Sequence, residues 1–291
     1  MSLMRARVLL ALAWCSVAVG AAAQPGALPQ AGGWMLGVGA QTDENESDSS
    51  LAMFNLGVGR STWLSFAAGR STSPADRADV VANTLSLGLD QRFDGVGFTV
   101  AAERWGDAGV LETTELGGSL YFERERWRIA VGYDARDIDI PFSFTGPLGN
   151  TIERTASVSA DAVSLDARVS LGESWRLYLH AAEHDYARDL SLLPRIDRLN
   201  LLSSSTLTLA GSFLDNERSI GFERELDRVL VSLTATSDAS AIDGSKFETL
   251  EAAVLFPVGA RVDLEVNLGD GRSEFFGSGL YGGLLVLVYG R

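Results

Sequence analysis

An all-β fold is what this sequence predicts: one closed antiparallel up-and-down β-barrel that crosses a membrane on about sixteen strands. Three observations lead there. Hydrophobicity alternates with period two along most of the chain after residue 33, the spacing that puts every second side chain on one face of a strand. Hairpin follows hairpin with no amphipathic helix between them. The connections alternate between short and long, as they do when one end of a membrane barrel carries tight turns and the other carries loops.

The first 23 residues read as a secretion signal. Arg5 and Arg7 form a positive start, 8–19 is an apolar stretch too short to span a bilayer as a helix, and Ala21-Ala22-Ala23 offers a cleavage site. The organisation expected is therefore a cleaved signal at 1–23, a Pro/Gly leader at 24–33 and the barrel at 34–291. A lipoprotein would use Cys15, the single cysteine, but Trp14 before it is a poor fit to the small residue that such processing needs. Without Cys15 the mature chain has no disulfide framework and no thiolate metal site. The balance is acidic, 24 Lys+Arg against 38 Asp+Glu, and losing Arg5 and Arg7 makes it more so. Nucleic acid, which needs a basic surface, is not an expected partner.

The strands follow in order. Trp34, Leu36, Val38 and Ala40 alternate with Met35, Gly37, Gly39 and Gln41; Phe54, Leu56 and Val58 alternate with Asn55 and Gly57; Leu85, Leu87 and Leu89 alternate with Ser86, Gly88 and Asp90. Trp127, Ile129, Val131 and Tyr133 alternate with Arg128, Ala130, Gly132 and Asp134. Val163, Leu165, Ala167 and Val169 alternate with Ser164, Asp166, Arg168 and Ser170. Val262, Leu264, Val266 and Leu268 alternate with Arg261, Asp263, Glu265 and Asn267. One face suits lipid and the other a polar interior, while closure pairs every backbone group. A soluble sandwich would tolerate the same charged face; the unbroken run of hairpins favours the barrel.

Short connections are expected at 59–62, 94–95, 123–126, 172–174, 226–227 and 257–259, on the periplasmic side. Longer ones are expected at 42–50, 71–80, 136–157, 237–245 and 269–279. Trp63, Phe93, Phe122, Trp127, Trp175, Phe222, Phe256 and Tyr289 lie beside the short turns, where an interfacial girdle belongs. Phe122-Glu123-Arg124-Glu125 recurs as Phe222-Glu223-Arg224-Glu225. If both are turns at one end, an even number of strands separates them. Counting 186–193 and 205–214 as strands gives sixteen in all; fourteen is the alternative.

The chain's end resembles that of bacterial outer-membrane β-barrels of the porin-like class, which close on an amphipathic strand with a terminal aromatic. Tyr281, Gly283, Leu285, Leu287 and Tyr289 match the outward series of such a strand, and Arg291 stands where the terminal aromatic would be. The resemblance is one of pattern over 34–291. It implies the cell outer membrane, export through the periplasm, outer-membrane lipid and the barrel-assembly machinery as partners, and leaves homo-oligomerisation open.

Chemistry-bearing motifs are sparse. His180-Ala181-Ala182-Glu183-His184 matches a zinc-peptidase pattern that requires a helix. Here the surrounding alternation makes a strand, on which the two histidines lie about 13 Å apart. His184-Asp185 at an outer rim motivates a rim-sited hydrolase as a third reading, behind a non-enzyme. The glycines of Gly37-Val38-Gly39, Gly57-Val58-Gly59 and Gly282-Gly283 open no helix and so form no phosphate loop. Asp43, Glu44, Glu46 and Asp48 suit a solvated loop better than a calcium site. No cofactor and no metal are expected.

The remaining candidate site is the lumen. Periodicity turns inward Asp90, Arg92, Glu103, Glu115, Tyr121, Arg128, Asp134, Asp166, Arg168, Arg176, Tyr178, His180, Glu223, Thr249, Glu251, Arg261, Asp263 and Glu265. Such mixed charge lines a water-filled pore or pairs across the interior and plugs it. The expected function is a passive channel for small polar or ionic solutes with a mild cation preference. The alternative is a non-conducting structural, adhesive or assembly barrel that binds a partner through loops 136–157 and 185–204.

Overall fold

The computed structural model describes residues 32–44, 46–74, 79–107, 111–145, 151–187, 213–242, 244–273 and 277–290. The expected signal, residues 24–31 of the leader, most of the 185–204 loop and Arg291 lie outside them. The described residues form fourteen strands: β1 (Trp34–Asp43), β2 (Asp48–Val58), β3 (Thr62–Ser73), β4 (Val80–Arg92), β5 (Val96–Asp107), β6 (Leu111–Arg124), β7 (Trp127–Thr145), β8 (Thr151–Ser170), β9 (Trp175–Tyr186), β10 (Leu214–Leu226), β11 (Val229–Ser240), β12 (Lys246–Pro257), β13 (Val262–Ser273) and β14 (Gly277–Gly290). Each pairs antiparallel with its sequence neighbours, and β1 pairs with β14 from Trp34↔Gly290 to Asp43↔Tyr281, so the sheet closes on itself.

Fourteen is the lower of the two counts. The strands expected at 186–193 and 205–214 fall largely outside the described residues, but β9 hydrogen-bonds directly to β10, from Arg224↔Trp175 to Asn216↔Glu183. No strand therefore stands between β9 and β10 in the wall. Four strands still separate the two Phe-Glu-Arg-Glu stretches, so both lie at the same end.

The turns at that end are tight for local reasons. Phe93 N–H donates to Val96 O (2.7 Å) around Asp94-Gly95, where Gly95 takes φ 76°, a left-handed conformation that glycine adopts without strain. Asp227 takes φ 54° in the β10–β11 turn, a role in which aspartate is tolerated. At the other end the expected 136–157 loop is mostly strand. β7 and β8 stay paired from Trp127↔Val169 to Thr145↔Thr151, whereas β6 leaves β7 at Glu112↔Asp139 and β9 leaves β8 at Ala160↔Tyr186. The β7–β8 hairpin thus extends about 20 Å beyond its pairing with β6 and about 30 Å beyond its pairing with β9, at about 3.3 Å per residue.

The registers advance by about one residue per strand around the barrel, which tilts the strands and gives a backbone radius of about 12 Å. Large apolar side chains cover the outside: Leu120 is 70% exposed, Leu268 61% and Leu116 59%. Outward charges occur in two tiers. Arg124 and Arg224 sit at the short-turn end, while Arg70, Arg104, Glu183, Arg218 and Asp270 begin the tier toward the long loops. Between them no outward position of a described strand carries a charge. This uncharged belt is about 20 Å tall, close to the band that a membrane barrel presents to lipid.

Two expected orientations are corrected. Tyr281, Leu285 and Leu287 point inward and are buried, and Leu284 and Val286 are the exposed pair of β14. Register decides it: Tyr281 lies opposite Gly269, Gly283 opposite Asn267 and Gln41, and Leu285 opposite Glu265, all on the interior face. Tyr289, opposite Met35, and Trp63, opposite Asp90, likewise leave the girdle for the interior. Trp34, Phe122, Trp127, Trp175 and Phe222 remain outward at the short-turn end.

Candidate functional site

The barrel interior collects the chain's polar chemistry, and three zones follow one another along its axis. The zone at the short-turn end is an arginine and carboxylate belt. Tyr121 OH donates to Asp90 Oδ1 (2.7 Å), Arg92 Nε reaches the same oxygen (3.4 Å), and Arg168 Nη2 reaches Glu123 Oε1 (2.5 Å). Arg128 lies over the Tyr121 ring (3.7 Å to its centroid) and Arg92 over Trp63 (4.7 Å). Further round, Arg176 reaches Glu223 (3.3 Å) and Glu225 (2.8 Å), and Tyr178 OH donates to Glu223 Oε2 (2.6 Å). Local sequence explains the density. Tyr121 can lie flat because Gly97, its partner on β5, has no side chain to occupy that space.

The middle zone has smaller side chains on much of its wall: Gly88, Ala101, Ser119, Gly132, Ser164 and Gly221 all take inward positions. His180 spans two neighbouring strands there, with Nδ1 2.8 Å from Asp166 and Nε2 3.8 Å from Glu217. Asn267 Nδ2 donates to Glu251 Oε2 (3.2 Å), and Thr236 bonds Thr249. One side is apolar. Met35, Met53, Ala67, Leu285 and Leu287 pack together on β14 and β1–β3, with Leu51, Leu255 and Tyr289 against them.

Toward the long loops, Arg136 donates from Nε and Nη2 to Glu115 Oε2, both at 2.6 Å, beside inward Glu103 and Asp134. Beyond them an apolar cluster of Leu111, Ile138, Ile140, Val158 and Phe213 packs with Trp105, Tyr186, Ala241 and Ile242. Phe213 is held there by Ala241 N–H donating to its carbonyl (2.7 Å), and Leu214 by Tyr186 OH (2.8 Å).

Most of the sequence-derived candidates take inward positions: Asp90, Arg92, Glu103, Glu115, Tyr121, Arg128, Asp134, Asp166, Arg168, Arg176, Tyr178, His180, Glu223, Thr249, Glu251, Asp263 and Glu265. Arg261 is the exception. The β12–β13 turn ends two residues later than expected, and Arg261 is exposed within it. Glu123 falls in the expected 123–126 turn although it lies two residues beyond inward Tyr121, and Glu225, at the end of its expected strand, follows inward Glu223 by the same parity. Glu217 follows from Glu223 by the same parity. Asp238 lies in the 237–245 segment read as a connection, and Asp107 lies outside the strands picked out by the alternation.

Among the described strands, five arginines therefore face inward (Arg92, Arg128, Arg136, Arg168 and Arg176) against fifteen carboxylates, Asp43 included. Four of the five arginines belong to the short-turn belt, so the rest of the wall is acidic.

The other motifs resolve simply. His180 and His184 share the inward face of β9, while Glu183 and Asp185 point outward. His184 and Asp185 are therefore not brought together. In the acidic β1–β2 loop, Asp43 Oδ1 accepts the Ser47 N–H (2.8 Å) and closes the turn. No group of three or more His, Cys, Asp or Glu side chains among the described residues is placed to hold a metal ion.

No protein-family model and no curated protein sequence matches this chain. Solved structures similar to it include the KdgM porin in complex with disordered oligogalacturonate (TM-score 0.44, 9% identity, 86% of this chain and 97% of that one). They also include a loop-deletion mutant of OmpT, an outer-membrane protein of Vibrio cholerae (TM-score 0.46, 10% identity, 88% and 97%), and the outer-membrane channel DcaP of Acinetobacter baumannii (TM-score 0.46, 9% identity, 88% and 96%).

Proposed function

We propose that the chain is a passive, cation-preferring channel of the outer membrane, through which small polar or ionic solutes diffuse. One observation carries the reading: inward carboxylates outnumber inward arginines about three to one within a barrel of about 12 Å backbone radius. A wall of that sign raises the local concentration of cations and lowers that of anions. Residues 1–23 would direct export, and the barrel-assembly machinery would insert the chain with its short turns in the periplasm. The oligogalacturonate of the KdgM complex is a polyanion, and the acidic wall gives no reason to carry that solute over.

Planar-bilayer recording on refolded protein tests the reading. Unitary conductance with a reversal potential on the cation side in a potassium chloride gradient is expected. Silence across voltages, or anion preference, would overturn it.

A second reading draws on the projecting β7–β8 hairpin, whose outer edges have no strand partner among the described residues beyond Asp139 and Ala160. Unpaired edges recruit strands from other chains. In that case the barrel displays the hairpin to a partner, and trimming the hairpin abolishes partner capture while leaving conductance intact.

A further inference from the structure

We propose that the outward face of β6 and β7 binds one phospholipid of the leaflet at the short-turn end. Its phosphate would rest on Arg124 and Arg126, and one acyl chain would lie in the groove above them.

The groove is a cavity of about 470 Å³ whose outward walls are Leu120, Phe122, Trp127, Ile129 and Val131. It runs from the first residue of β7 to the fifth, about 13 Å along the strand at 3.3 Å per residue. That depth matches one leaflet, half of a hydrocarbon layer of about 25–30 Å. Phe122 and Trp127 form its mouth, with ring centroids 5.3 Å apart.

Cations stand at this mouth. Arg124 points outward, is exposed, and lies 4.9 Å over the Phe122 ring. Arg126 is exposed in the turn below. Glu125 shares the turn, yet no salt bridge to Arg124 is formed among the described residues, and Glu123 faces the lumen, where Arg168 holds it. The guanidinium thus keeps its charge for an anion at the level where phosphates lie. The second Phe-Glu-Arg-Glu stretch repeats the arrangement: Glu223 binds Arg176 inside, and Arg224 lies 4.9 Å over Trp175 outside. One side of the motif ties the lumen belt together, and the other sets an arginine on an aromatic at the membrane surface. A lipid, not a protein, is the occupant that fits, because the groove opens onto the uncharged belt and has its cations only at the interface end.

Native mass spectrometry of detergent-refolded protein reads the binding directly, with dioleoylphosphatidylglycerol as the probe and dioleoylglycerol as its phosphate-free counterpart. One retained phosphatidylglycerol per barrel is expected. Arg124→Gln with Arg126→Gln should lower the bound fraction at least fivefold, and Val131→Trp, which fills the groove, should do the same. Arg104→Gln, at the opposite rim, should leave it unchanged. A heat-dependent shift in gel mobility verifies folding of each variant. Equal retention of the two lipids, retention unaffected by the arginine changes, or a dimer that Val131→Trp dissolves would overturn the proposal. Conduction plays no part in the readout, so a silent barrel that binds the lipid refutes the channel reading alone.

Discussion

Glu123 and Arg168 meet at 2.5 Å in the lumen belt, so their substitutions should move ion selectivity in opposite directions from one place. With a backbone radius of about 12 Å and a side chain reaching about 4 Å inward, an ion on the axis passes about 8 Å from either charge. In water that separation is worth about 0.5 kcal/mol. Screening at 0.1 M salt, where the Debye length is about 10 Å, leaves about 0.25 kcal/mol. Potassium and chloride feel it with opposite signs, so their permeability ratio should change about twofold per substitution. Glu123→Gln is expected to lower the cation preference by that factor and Arg168→Gln to raise it, read as reversal potentials in a tenfold potassium chloride gradient. At 1 M salt, where the Debye length falls to about 3 Å, both shifts should vanish. A shift of the same sign in both variants, or one that persists at 1 M, would show that the belt acts on selectivity by shape and not by charge.

Other outcomes follow from packing. Phe213→Ala removes the ring that Ala241 and Tyr186 hold in the apolar cluster near the long loops; a loss of about 3 kcal/mol of local stability should appear as faster proteolysis at that end and a higher unitary conductance. Gly97→Ala places a methyl against the Tyr121 ring and the Gln91 carbonyl and should cost about 1–3 kcal/mol in urea unfolding, whereas Gly259→Ala, with Val262 at 3.8 Å, should be close to neutral. Replacing residues 142–150 with a tight turn removes the end of β7, 142–145, which among the described residues pairs only with 151–154 of its own hairpin; the heat-dependent gel shift and the unfolding midpoint should stay as they are.

What could be read in the sequence was whatever a single strand carries by itself. The alternation in 127–134 or 163–170 announces one apolar and one polar face, and there the inward residues follow directly. Where a strand is apolar on both faces, parity is undetermined by composition. β14 is such a case: Leu284 and Val286 serve the lipid side, Leu285 and Leu287 the lumen, and only pairing with Asn267 and Glu265 of β13 and Gln41 of β1 decides between them. The terminal aromatic pattern points the other way because it sets Tyr281 and Tyr289 on the lipid side. They face inward instead, where the glycine and methionine opposite them leave room for a ring. The choice between sixteen and fourteen strands stays open in the sequence for a related reason, since only the direct β9–β10 pairing selects fourteen.

The lumen's character also emerges only from assembly. Arg92, Arg128, Arg168 and Arg176 are scattered over 85 residues, and each is unremarkable in its own strand. Because the registers climb by about one residue per strand, all four arrive at nearly the same height, where Asp90, Glu123, Glu223 and Glu225 meet three of them and Arg128 lies over Tyr121. Net charge foresaw an acidic molecule but not this sorting along the axis. The sorting is what gives the charge a function: uniformly mixed pairs would cancel along the path, whereas neutralising the arginines at one end leaves Glu103, Asp134, Glu251 and Glu265 to set the sign for an entering ion. In a channel with the same composition and Arg168 moved to the middle zone, the cation preference set by that zone would fall about twofold while the net charge stayed the same.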